Sequence, residues 1–328
     1  MVTLIRSASL WAMVFLMVAL GACDRPSQDG GSDQSAEIPP PNTAVTPRFE
    51  GDSALALVRT QVGFGPRIPG SASHRRCGDW MVAALRERGL QVVEQRESLT
   101  MHDGKVFELR NIVGIFRPQS TRRMVLAAHW DTRPFADMDA ENPKARMDGA
   151  NDGASGVAVL LELGRHLDSL PSDWGVDLVF FDLEDYGVPE VADSYAIGSQ
   201  VWSRRPHVAG YRAQRGVLLD MVGAADARFC WEGHSLQFAP DWTRAIWQRA
   251  GALGYGDLFV PVPCQPVTDD HYYVNTLAGI PMVDIIDLRN EGTGFPPHWH
   301  TRNDQLSVIS PRTMTAVGQT LLDILYRP

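Results

Sequence analysis

The stretch Phe180-Phe181-Asp182-Leu183-Glu184-Asp185-Tyr186-Gly187 ends an apolar run over residues 176–181 in a cluster of carboxylates. A buried strand that hands adjacent acids to its C-terminal end is how an open α/β sheet builds a site at its carboxyl edge. The design recurs. Residues 216–221 form an apolar run with Asp220 near its end, residues 124–128 run directly into His129, and residues 281–286 make a fourth such run. Short continuous apolar runs suit strands buried on both faces.

The segments between these runs read as helices and further strands. From Ser73 onward, Cys77, Trp80, Met81, Ala84 and Leu85 recur at three- and four-residue spacing and Gly89 follows as a stop, which predicts an amphipathic helix. Residues 153–167 place Val157, Leu160, Leu161 and Leu167 on one helical face, with Asp152 positioned to cap that helix. Residues 91–99 and 106–116 read as strands. Ser310-Pro311 opens a closing helix with Met314, Val317, Leu321, Ile324 and Leu325 turned inward. Apolar strands alternating with amphipathic helices predict an α/β fold: a single domain with a central, mostly parallel mixed sheet flanked by helices on both faces.

Residues 1–22 contain Arg6, an apolar stretch over residues 10–20, and Leu20-Gly21-Ala22 immediately before Cys23. This pattern resembles a bacterial lipoprotein signal, which implies export and lipidation of Cys23. Asp24 resembles the residue that retains some lipoproteins at the inner membrane, so a lipid anchor facing the periplasm is expected. Residues 23–48, rich in Pro, Ser, Gln, Gly and Asp, read as a flexible tether. The catalytic domain is then expected over residues 49–328. Removal of residues 1–22 takes away Arg6 and no acid, moving the net charge from −9 to −10, which argues against a nucleic-acid partner. Cys77, Cys230 and Cys264 remain, an odd number at irregular spacing. They read as small buried side chains and not a disulfide framework, though one pair could still bridge.

Several residues around the strand ends carry metal chemistry. His129 and Asp131 lie two apart, so along a continuing strand they leave on one side, and the carboxylate would accept the second ring N–H of a metal-bound imidazole. Glu184 and Asp185 are neighbours that can divide roles, one binding a metal while the other carries a proton. Asp220 repeats the strand-then-acid design, and Asp269-Asp270-His271 also reads as a capped helix start before Tyr272 and Tyr273. His298 and His300 flank Trp299, and their spacing does not choose between them as ligands. Mixed carboxylate and imidazole donors without nearby Cys suit zinc in a catalytic site. No glycine-rich phosphate loop precedes a helix and no Gly-x-Ser-x-Gly elbow occurs, which sets aside nucleotide binding and serine-hydrolase chemistry.

These motifs in this order resemble the zinc aminopeptidases of the M28 type, and more closely their glutaminyl-peptide cyclotransferase branch of the animal type, which has bacterial members. The matched stretches run from His129-Trp130-Asp131 to Trp299-His300-Thr301. The resemblance implies Asp152, Asp185 and His300 as ligands of one zinc, Glu184 as the proton-transfer residue, and Asp220 and Asp269 as a hydrogen-bonded acid pair. It implies Trp299 and Phe295 as substrate-packing residues. In two-metal aminopeptidases, the positions matching His129 and Asp220 hold a second zinc bridged by Asp152. Asp269 before Asp270-His271 and Trp299 before His300 follow the cyclase pattern. Asp185 replaces a Glu of animal cyclases, Glu190 falls where they carry a pocket Trp, and no Cys pair flanks His129. The resemblance implies conversion of an N-terminal glutamine of peptides or proteins to pyroglutamate with loss of ammonia. The alternative is hydrolysis of the first peptide bond.

Overall fold

Strands that must lose both faces to packing can share a sheet only where helical crossovers cover each side, and the four apolar runs do this. The computed structural model describes residues 45–289 and 292–328, which lie in one compact unit. The strands are β1 (Gln91–Thr100), β2 (Val106–Phe116), β3 (Arg123–His129), β4 (Gly175–Phe181), β5 (Arg215–Asp220), β6 (Phe229–Trp231), β7 (Phe259–Pro263) and β8 (Met282–Ile286). The six-stranded sheet has the order β1-β2-β4-β3-β5-β8. Strands β4, β3, β5 and β8 are parallel, and β1 and β2 extend one edge as an antiparallel pair. β6 and β7 form a separate two-stranded parallel ladder.

The helices are α1 (Gly51–Gly63), α2 (Ala72–Glu87), α3 (Ala154–Gly164), α4 (Ile197–Arg204), α5 (Gly233–Phe238), α6 (Pro240–Ala252), α7 (Asp270–Tyr273) and α8 (Pro311–Tyr326). Alternate residues of one strand serve opposite layers. Val176, Leu178 and Phe180 of β4 join the core under α1, α2, α3 and α8, whereas Val179 and Phe181 pack with Trp202 of α4 and with Val274. The two-sided mixed sheet expected from the sequence is the one formed. Every parallel strand points its carboxyl end the same way, and register sets His129 opposite Phe181 and Asp220 opposite Ile286.

Three expectations change. The helix after Asp152 begins at Ala154 with Gly153 as its cap, in the left-handed region at φ 64°, so the Asp152 side chain is not used for capping. Cys230 and Cys264 form a disulfide, with Cα atoms 6.0 Å apart, while Cys77 is free and buried. Their spacing could not show this, because β6 and β7 become parallel neighbours only through the crossover over α5 and α6. The ordered body also engages the chain ahead of residue 49: Thr46 Oγ1 donates to Asp323 (2.8 Å), and Gln319 Nε2 donates to Pro47 O (3.0 Å). The export signal, Cys23, Asp24 and the tether up to residue 44 lie outside the described residues. Among the described residues, no helix is long and apolar enough to cross a membrane.

Gly153 is fixed by packing as well as by its dihedral. A Cβ there would sit 2.9 Å from His129 Cε1 and 3.0 Å from His129 O, inside van der Waals contact. Gly153→Ala should therefore destabilise the fold by about 1–3 kcal/mol through strain and overpacking. Thermal unfolding of the variant beside the wild type checks this, and an unchanged Tm would contradict it.

Candidate metal centre

Five segments deliver side chains to the carboxyl edge of the sheet, and local backbone turns aim them. β3 ends at His129, β5 at Asp220, and β4 leads through Leu183 to Glu184 and Asp185. Asp152 comes from the turn before α3, and His300 from the loop after β8. Leu183 (φ 57°), Met221 (φ 50°) and His300 (φ 53°) occupy the left-handed region that non-glycine residues rarely enter. Such positions cost on the order of 1–3 kcal/mol each and cluster at functional sites. Here each one bends the chain at a strand end or at a ligand.

The donor atoms form two groups that share Asp152. His300 Nε2 lies 3.2 Å from Asp185 and 3.7 Å from Asp152. His129 Nε2 lies 3.0 Å from Asp152 and 3.3 Å from Asp220. Donors about 2.0–2.1 Å from a tetrahedral ion are about 3.3–3.4 Å apart from one another. Both groups approach that spacing, and their ligand atoms gather closely enough to hold a metal ion. Asp185 Oδ2 is buried without a hydrogen-bond partner, as an oxygen reserved for a cation would be. The structure thus chooses between the two histidines. His298 Nε2 instead meets the Asn151 amide at 3.0 Å and takes no part in either group.

Buried carboxylates behind the donors hold the backbone that carries them. Asp131 accepts the N–H groups of Glu184 (3.1 Å) and Asp185 (3.2 Å). Its expected bond to His129 is not made: the Nδ1–carboxylate separation is 3.6 Å, beyond hydrogen-bond range. The reason is local. The β3 ladder stops at His129, and Trp130 turns into the core to stack on His74 at 4.0 Å, so Asp131 emerges toward the β4 tip. Asp304 likewise accepts the N–H groups of Asn151 (2.7 Å) and Asp152 (3.1 Å). Asp137 stands 3.3 Å from His300 Nδ1 and pairs with Arg133, which also donates to Asp185 O at 3.1 Å. Asp304 and the Arg133–Asp137 pair had no signal in spacing beyond an i, i+4 charge pair.

Asp220 and Asp269, implied as an acid pair, line one cavity, and Asp220 is the neighbouring charge that most raises Asp269. Asp220 is hydrogen-bonded to His129, and Asp269 Oδ1 caps α7 through the Asp270 N–H. A further carboxyl beside Asp269 is Asp284 of β8, fully buried and 3.5 Å from His271 Nδ1. A lone acid inside the apolar run over residues 281–286 was the legible sign of it. Its position follows from register: Asp284 sits opposite Leu218, beside the strand that bears Asp220.

A cavity of about 270 Å³ opens over the donors, with Glu184, Tyr195, Asp269, Phe295 and Trp299 among its walls. Trp299 stacks between Phe295 (4.2 Å) and the His300 imidazole (3.8 Å), which fixes the ligand ring as well as the wall. Cys230 packs in the cluster behind them with Met221 and Ile286. Glu190 is exposed and is not part of this cavity; Tyr195, which sequence reasoning missed, forms the wall there.

The protons follow the charge. Burial, with Asp269 and Asp185 nearby, pushes the Glu184 carboxyl well above the usual carboxylate range. Burial and Asp220 raise Asp269 to about 6. Burial alone would lower His300, but Asp185, Asp137 and Asp152 lift it to about 9. His129 is likewise raised against its burial by Asp131, Asp152 and Asp220. Imidazoles that hold protons so firmly among carboxylates mark a place where a metal cation would relieve the same excess of negative charge.

Comparison with known proteins agrees with this geometry. Residues 111–325 match peptidase family M28. The chain is 25% identical to aminopeptidase YwaD of Bacillus subtilis over 84% of its own length, and spans 57% of that protein. It is 27% identical to a glutaminyl-peptide cyclotransferase of the snake Boiga dendrophila, covering 78% of this chain and 75% of the relative. The glutaminyl cyclase of Porphyromonas gingivalis shares its structure at a TM-score of 0.83 with 48% identity, over 85% of this chain and 99% of that one. A Zn-dependent exopeptidase of Parabacteroides distasonis matches at a TM-score of 0.85 with 42% identity, over 87% and 100%.

Asp131→Asn leaves one amide oxygen to accept two buried N–H groups. The expected result is a metal affinity about 10–100-fold weaker, read by competition with a chelator, in a protein whose circular dichroism is retained.

Proposed function

The chain belongs to peptidase family M28, and we propose that it is a zinc-dependent glutaminyl-peptide cyclotransferase. It would convert an N-terminal glutamine of peptides or proteins to pyroglutamate and release ammonia. One observation carries the choice: Asp269 and Trp299 enter the same cavity as Glu184 and the Asp152, Asp185 and His300 donors. An attack by the substrate's own amine needs a proton carrier, a second acid and a wall that holds the folded side chain, and these residues supply all three. A cavity of this size also suits one residue and not a longer segment.

The donor chemistry fits zinc: two carboxylates and one imidazole, with a buried Asp185 oxygen left unpaired. Bound by Asp152, Asp185 and His300, zinc supplies a Lewis acid that polarises the side-chain amide carbonyl. Glu184 accepts a proton from the α-amine as its nitrogen bonds to the amide carbon. It then returns that proton to the departing amide nitrogen, which leaves as ammonia. A carboxyl raised by burial and by Asp269 holds that proton more firmly than an exposed Glu would. Asp269, held by its own N-cap bond, keeps its other oxygen unpartnered and available to hydrogen-bond the leaving nitrogen. Trp299 and Phe295 pack the folded chain. Ring closure is intramolecular, so holding that conformer accounts for up to about 7–11 kcal/mol of the barrier.

The His129, Asp152 and Asp220 group supports a second reading, an aminopeptidase with two zinc ions. Gln-initiated and Leu-initiated peptides offered to zinc-loaded protein separate the two. Ammonia from the first without free amino acid from the second is expected, and released leucine would sink the cyclase reading. Glu184→Gln should lower turnover by about 10²–10⁴-fold while zinc stays bound. Zinc binding must also expel the proton that His300 holds up to about pH 9. Its apparent affinity should therefore rise with pH from 6 toward 9, by up to about tenfold per unit for this one proton, and level off above. Chelator competition across that range tests the sign.

A further inference from the structure

The cavity over the donors has room for the first residue of a peptide, so the rest of the chain must leave along a wall that the cavity shares. Tyr195 and Thr268 are that wall. Both also line a second, larger cavity of about 430 Å³, with Asp193, His234, Tyr272 and Tyr273 around it. An extended chain advances about 3.3–3.6 Å per residue. A peptide whose first residue fills the cavity over the donors would meet, one residue on, the Tyr195–Thr268 wall that the two cavities share.

The chemistry of this second cavity is one-sided. The His234 and Tyr272 rings are 4.7 Å apart, and Tyr273 meets Tyr272 edge-on at 5.2 Å. Asp193 is exposed, and its Oδ1 accepts the Tyr273 hydroxyl at 2.8 Å, so its carboxylate is held in place at the rim. No Lys or Arg lines the cavity. Arg204, which shares a different groove with Asp193, is hydrogen-bonded to Gln200 O at 3.2 Å. Aromatic faces beside a fixed carboxylate attract a cation and repel an acid.

We propose that this cavity is a second substrate subsite that receives the side chain of the residue after the N-terminal glutamine and favours lysine or arginine there. The proposal rests on the cyclase reading, and deepens it by naming a substrate class. The occupant is the continuation of the substrate itself, because the two cavities share a wall.

The test compares kcat/KM for ammonia release from Gln-Arg, Gln-Lys, Gln-Ala and Gln-Glu peptide amides of equal length, with zinc-loaded protein at low and high salt. Gln-Arg and Gln-Lys should exceed Gln-Glu by about five- to tenfold, and the ratio should shrink at high salt. Asp193→Asn and, separately, Tyr272→Leu should each lower the Gln-Arg to Gln-Glu ratio. A ratio of two substrates in one preparation does not depend on the fraction of folded protein. Equal rates for all four peptides, or a preference that both variants leave intact, would overturn the subsite while Gln-Ala turnover upheld the cyclase reading. Absence of ammonia from every peptide would overturn both.

Discussion

Concentrated buried negative charge is the constraint around which this protein is organised. Asp131, Asp152, Asp185, Asp269, Asp270, Asp284 and Asp304 are all buried at or near one edge of the sheet. Ionised carboxylates do not persist in such surroundings without hydrogen bonds, cations or shared protons. Each device is used here on a different acid. Asp131 and Asp304 are satisfied by consecutive backbone N–H groups, Asp185 faces Arg133 and His300, and Asp284 adjoins Asp269. What remains unpaired, Asp185 Oδ2 among it, points to a cation as the last component.

The division of labour among the acids follows from which partner each one has. Carboxylates bonded to backbone N–H groups act as fasteners, because those bonds fix the turns that carry Asp152, Glu184 and Asp185. Carboxylates facing imidazoles form the groups that could hold a metal ion. Glu184 has neither kind of partner for its side chain, and burial with Asp269, Asp185 and Asp270 nearby outweighs His129 in raising its carboxyl. Arg67 contributes from beneath: its guanidinium binds the carbonyls of Asp148 and Gly149 and steadies the turn ahead of Asp152. Burial lowers the pKa of its guanidinium, and the nearby Asp304, Asp131 and Asp152 only partly offset that.

Much of the architecture was legible because its signals are local. Runs such as 176–181 and 216–221 are apolar enough to be strands buried on both faces, and they end in acids where the parallel sheet places its sites. The helix starting near Ser73 and the one opened by Ser310-Pro311 were equally plain from their periodicity. The site's inner supports were less so. The Asp131 side chain went to the β4 tip and not to His129, because the strand ended and Trp130 turned inward. Asp284 came beside Asp269 through strand register, and Cys230 met Cys264 through a crossover between parallel strands. None of these depends on neighbours in sequence.

The sequence by itself determined the α/β class, the strand ends that carry the chemistry, and the residue types able to hold a metal and move a proton. These follow from hydrophobic periodicity and from what carboxylates and imidazoles do, both properties of short segments. Only the tertiary structure decided that His300 and not His298 joins the donors, that Asp284 lies beside Asp269, and that Tyr195 divides two cavities. Those outcomes rest on left-handed turns at Leu183, Met221 and His300 and on the register of parallel strands. Packing imposes such features across long separations in the chain, and no local pattern encodes them.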